Sequence, residues 1–151
     1  MVRAPGSGEV WAEGIATRGH VVVLVEGDRV LLVREVRSGS VRYLAPEATV
    51  RADETPGKAA VRAAREHLCA EVTVTDLLFA DTEMGAEHFF FVAELESEYQ
   101  AAWDAEPPQS DGTMITAVRR SALLAYPVRP VELARRLMAH DRSRAEGVRT
   151  N

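Results

Sequence analysis

The 151 residues, 46% of them hydrophobic, have room for one core and not for two. A net charge of −5 disfavours non-specific nucleic-acid binding and points to a small ligand or a protein partner. One cysteine, Cys69, excludes an internal disulfide, as in a reducing compartment, and the longest apolar run, 21–25, is too short to cross a bilayer.

Residues 1–18 read as a loose tail and a short edge strand, with Trp11 and Ile15 as the only large apolar anchors. This N-terminal stretch lacks the apolar core of a signal peptide, so a cytoplasmic protein is expected. Next comes a hairpin, HVVVLVE and RVLLVREV around Gly27-Asp28, for which a tight primed turn is expected. Its near-continuous apolarity predicts strands covered on both faces. Ser38-Gly39-Ser40 makes a turn, and 41–44 is a short strand.

Thr55-Pro56 then starts a helix, with a hydroxyl cap followed by a ring pre-set to the first helical φ. Val61, Ala64 and Leu68 fall at helical spacing as an apolar stripe, and Arg62 and Glu66 are four apart on another face. After this helix, EVTVTDLLFAD reads as a strand pair or one bent strand, 83–86 as a turn, and HFFFVAEL as a central strand. Residues 96–112 form an acidic, proline-containing loop, and 113–118 the last strand. Ser121 offers a cap, and 131–140 is a second amphipathic helix with Leu133, Leu137 and Met138 inward. A charged tail, 141–151, completes the chain. This order predicts an α/β fold, with one mixed sheet between helices over residues 19–140.

The stretch YLAPEATVRADETPGKAAVRAAREHLCAEV, from Tyr43 onward, resembles the Nudix box, whose pattern is G-x5-E-x7-R-E-U-x-E-E-x-G-U with U aliphatic. Laid on without gaps, Glu54, Arg62 and Glu66 occupy the family's glutamate, arginine and second helix glutamate. Pro46 falls on the proline of the family's Pro-Gly-Gly turn. Glu47 and Ala48 replace its glycines, Ala63 and His67 replace two helix glutamates, and Cys69 replaces the last glycine. The resemblance extends over 19–140 and implies a Nudix-type α/β/α sandwich, an ancestry among diphosphate hydrolases and, in many members, a homodimer.

In the family the helix carboxylates hold divalent cations against a diphosphate. Three- and four-residue spacing sets such groups side by side, hard oxygens suit Mg²⁺, and the metal activates the attacking water. Here those positions carry Ala63, Glu66 and His67, one carboxylate in three. The cation expected is Mg²⁺ or Mn²⁺, or Zn²⁺ given the imidazole of His67, or none at all. Glu54, Glu66 and Glu47 are the candidate metal ligands, and Glu66, His67 and Arg62 the candidate catalytic residues, with Arg62 orienting the carboxylates. Arg51, His88 and Phe90 are candidate substrate contacts, and Glu106 and Asp111 candidate extra acids.

Each has an ordinary alternative. Arg62 with Glu66 is also a solvated i, i+4 pair, Glu54 a favourable charge near a helix N-terminus, Glu47 a loop glutamate, and His67 a surface histidine. His88 is also an exposed strand-end residue, Phe90 sheet core, and Cys69 a small apolar residue at the helix end. Three readings stay open. The first is a diverged hydrolase acting on a nucleotide-like or other small phosphorylated molecule. The second is a non-hydrolytic ligand-binding or regulatory module, and the third a biosynthetic enzyme with metal-independent chemistry in the same pocket.

Overall fold

The computed structural model describes residues 16–140. Seven strands and two helices follow in order: β1 (Ala16–Val25), β2 (Arg29–Arg37), β3 (Ser40–Leu44), β4 (Glu47–Thr49), α1 (Pro56–Ala63), β5 (Val72–Glu83), β6 (Ala86–Leu95), β7 (Gly112–Arg119) and α2 (Val131–Ala139). A π-helical turn (Ala64–Leu68) extends α1, and 3₁₀ turns occupy Ala101–Asp104 and Arg120–Ala125.

β1 is central. One of its edges pairs parallel with β6, and the other is shared by β4, at Arg18–His20, and β2, at Val23–Val25. The expected edge strand falls on residues 1–18, of which 1–15, with Trp11 and Ile15, lie outside the described residues; 16–18 open β1 and are paired with β6. β2 runs against β7 along one edge and divides the other between β1 and β3. β5 pairs with β6 as one strand interrupted by two register shifts, between Val74 and Asp76 and between Leu77 and Phe79. Since only β1 and β6 run parallel, the sheet is mixed.

Strand alternation assigns the two faces. Val21, Val23 and Val25 of β1 pack with Ala59, Ala60, Ala63, Ala64 and Leu68 of the α1 layer, and Val22 and Leu24 with Leu133, Ala134 and Leu137 of α2. The first hairpin was expected to close on two residues. Its loop has three, Glu26 to Asp28, because Val25 is already opposite Arg29; Gly27 and Asp28 both take positive φ. Thr55 caps α1, its Oγ1 accepting from Lys58 N at 3.2 Å, with Pro56 at the first helical position. The buried stripe of α1 is alanine-built, with Val61 only partly covered. Small side chains let the helix lie close to β1, where Gly19 is the contact point: a Cβ there would stand 2.5 Å from Pro56 O and 3.0 Å from Ala60 N.

Two expectations about α2 change. Ser121 lies inside the 3₁₀ turn and caps no helix; Pro130 precedes α2, which has no side-chain cap. Met138 is exposed, and Ala134 takes the third inward place beside Leu133 and Leu137.

Candidate functional site

A cavity of about 610 Å³ opens on the α2 side of the sheet. Its wall is set by β1, β4 and β6, and its rim by β3, the π turn, the β5–β6 hairpin and the Arg129-Pro130 segment. Pairing brings the groups together. β1 against β4 sets His20 opposite Glu47, and β1 parallel to β6 sets His20 beside Phe90, two residues beyond His88. His20 Nε2 lies 2.8 Å from His88 Nδ1 and 3.5 Å from Glu47 Oε1. Its ring stacks on Phe90 at 4.0 Å between centroids, and Phe90 stacks in turn on Phe79 at 4.5 Å.

His20 is buried, and burial, with His88 beside it, lowers its pKa to about 3. The Ala45 backbone opposes this only in part, and His20 Nδ1 has no hydrogen bond of acceptable geometry. At neutral pH His20 is therefore an uncharged imidazole facing a second imidazole and a carboxylate.

On the α1 side a different constellation forms. Arg62 donates to both oxygens of Glu54 at 2.9 Å each, to Glu66 Oε2 at 3.2 Å and to the Thr49 carbonyl at 2.7 Å. Glu54 also accepts from Arg51 N at 3.0 Å. The Arg62 guanidinium and then this N–H hold the Glu54 carboxyl at about 2, and the same pairing raises Arg62. Arg62 thus ties the loop, β4 and the helix into one unit. Ala63 faces away, fully buried in the core.

Glu54 and Glu66, two of the candidate ligands for a cation expected to be Mg²⁺, Mn²⁺ or Zn²⁺, or none at all, do not suit Mg²⁺ in this arrangement. Mg²⁺ binding needs oxygen ligands available to it. Both Glu54 oxygens accept from Arg62, Glu66 is drawn to the same guanidinium, and Ala63 offers none. Glu47 does not join Glu54 and Glu66, because β4 turns it toward His20. Among the described residues, the group whose donor atoms converge is His20, Glu47 and His88, all within 4.8 Å of one another.

The other sequence candidates divide the same way. His67 lines the cavity, its Nε2–H donating to the Glu47 carbonyl at 3.1 Å. It reaches there from the π turn, a wide helical turn often found at functional positions. His88 and Phe90 line the cavity too, with Phe90 almost fully buried in its wall. Arg51, Glu54, Arg62 and Glu66 do not line it. Glu106 is exposed outside it, and Asp111 accepts from Ser38 N at 3.1 Å, closing the β2–β3 turn. Cys69, read as a small apolar residue at the helix end, is exposed and left-handed, φ 53°, a conformation that suits the glycine of the family pattern.

Cavity residues that sequence reasoning passed over include His20, Arg42 and Arg129. The one signal for His20 was a polar residue opening an apolar strand run, a place where His88 also stands.

No family model matches the sequence, and no curated protein matches it. Solved structures do. A Nudix hydrolase from Nitrosomonas europaea superposes with a TM-score of 0.59 at 17% identity, covering 82% of this chain and 86% of its own. An ADP-ribose pyrophosphatase from Streptococcus suis gives 0.60 at 15% identity, covering 83% and 91%. An ADP compounds hydrolase gives 0.62 at 17% identity, covering 88% and 74%. The chain has the Nudix fold. At identities this low the likeness is one of architecture, an α/β/α sandwich with α1 and α2 on opposite faces of the Nudix sheet. No helix among the described residues is long and apolar enough to cross a membrane.

Proposed function

We propose that this Nudix-fold chain is a diverged hydrolase-like enzyme that takes a small phosphorylated, nucleotide-like molecule into the 610 Å³ cavity. The cavity carries the reading: it has an aromatic wall at Phe90, cations at Arg129 and at Arg42, the latter paired with Glu35, and a proton-transfer group at His67. Arginine suits phosphate oxygens, and a histidine is the usual side chain for moving a proton near neutral pH. Two structural neighbours are an ADP-ribose pyrophosphatase and an ADP compounds hydrolase, which supports the ligand class. The proposed setting is the cytoplasm.

His67 is the proposed acid–base residue, since it alone of Arg62, Glu66 and His67 lines the cavity. Arg62, with Glu54 and Glu66 on it, is a positioning residue that holds the turn carrying His67. Arg51 stays outside this scheme. The homodimer expected by resemblance belongs to the proposal, and sedimentation of the purified chain tests it.

A second reading, a module that binds such a molecule without cutting it, is favoured by one observation: α1 presents no pair of unengaged carboxylates. Calorimetry with ADP-ribose, followed by phosphorus NMR of the mixture, separates the two. Binding with slow phosphate-ester release, abolished in His67→Ala while binding persists, is the result expected of the enzyme. Binding without release leaves the module. Absence of binding to ADP-ribose and to other nucleoside diphosphate compounds removes both.

A further inference from the structure

We propose that His20, Glu47 and His88 bind one divalent transition cation, Zn²⁺ by the chemistry of the donors, at the wall of the cavity. This goes beyond the ligand reading, because the cation requires no substrate and either idea can fail without the other.

The three ligands come from three strands locked in register, so no loop has to move to assemble them. Zn–N and Zn–O bonds of ~2.0–2.2 Å in a tetrahedron put ligand atoms about 3.3 Å apart. The observed 2.8 Å between the imidazole nitrogens and 3.5 Å from His20 Nε2 to Glu47 Oε1 bracket that spacing. A small rotation of the His88 ring opens the shorter distance. His20 is directed by its stack on Phe90 and by burial, so its nitrogen is pre-aimed. Two imidazoles with one carboxylate favour Zn²⁺ and its first-row neighbours over Mg²⁺ or Ca²⁺.

The ordinary alternative is two histidines sharing one hydrogen bond, with Glu47 leaning toward Arg18 at 3.9 Å. It leaves the Glu47 carboxylate 3.5 Å from His20 Nε2, and His20 Nδ1 buried without a hydrogen bond of acceptable geometry. All three residues also face the cavity. Three protein ligands with the remaining position open to a cavity is the arrangement of catalytic rather than structural zinc.

The test uses the full-length chain, stripped with chelator and titrated with Co²⁺ by visible absorption, then with Zn²⁺ in competition. One equivalent with a four- or five-coordinate spectrum is expected. His88→Ala and, separately, Glu47→Ala at an exposed position should each weaken binding by more than the ~10–100-fold cost of losing an outer-shell partner. Cys69→Ser and Glu66→Gln should leave it unchanged. Circular dichroism verifies that each variant is folded, and Glu47→Ala decides the matter if His88→Ala is not. No binding at millimolar Co²⁺ overturns the proposal. So does binding that survives loss of Glu47, or that disappears with Cys69 or Glu66.

Discussion

Both oxygens of Glu54 accept from Arg62, and a backbone N–H adds a third bond, so its carboxyl ionises near 2 where 4.5 is ordinary. Its folded-state pKa is depressed. The unfolded chain therefore binds more protons between those values, and the stabilisation present above pH 4.5 disappears as pH falls toward 2. Urea unfolding followed from pH 6 down to 2 should show Glu54→Gln less stable than wild type at pH 6, with the two curves converging at the acid end. Parallel curves would mean that Glu54 does not carry this linkage. Glu54, Arg62 and Glu66 were legible in the sequence because spacing along a helix and a resemblance both select them. His20 was not, because its meaning comes from residues 27 and 68 positions away, brought near by strand pairing that no local pattern encodes.

At the scale of elements, α1 sits where it does because Gly19 has no side chain. Gly19→Ala would place a methyl group against the backbone of Pro56 and Ala60, which cannot move without shifting the helix off β1. A loss of about 1–3 kcal/mol in chemical denaturation is expected, the usual cost of overpacking a tight contact. A neutral effect would show that α1 has slack. The first hairpin, both helices and the β6 strand could be read from the chain, because periodicity and capping chemistry are local properties. The inward set of α2 was partly misread. Met138 follows Leu137 in sequence, but a helix advances about 100° per residue and carries it to the solvent side, while Ala134 comes under Leu137.

For the molecule as a whole, a ligand that binds only the folded state raises its stability by mass action. ADP-ribose at one hundred times its Kd should add about 2.7 kcal/mol, measurable as a rise in Tm that grows with ligand concentration. A Tm indifferent to ADP-ribose would remove this molecule as a ligand of the cavity. The fold itself was legible as a mixed sheet between helices. The strand order was not, since β1 and β6 are joined side by side with the whole of β2 to β5 between them.

That parallel pairing also sets an order of events during synthesis. β1 is made before β6, with a run of valines that β6 and the two helices help to cover, and residue 95 must be made before β6 is complete. The nascent chain therefore carries an adhesive strand while residues 26–95 are made, with β2 as its first neighbour and the far edge open. Chaperone demand in this protein should be concentrated before β6 emerges, and should fall once that strand is in place.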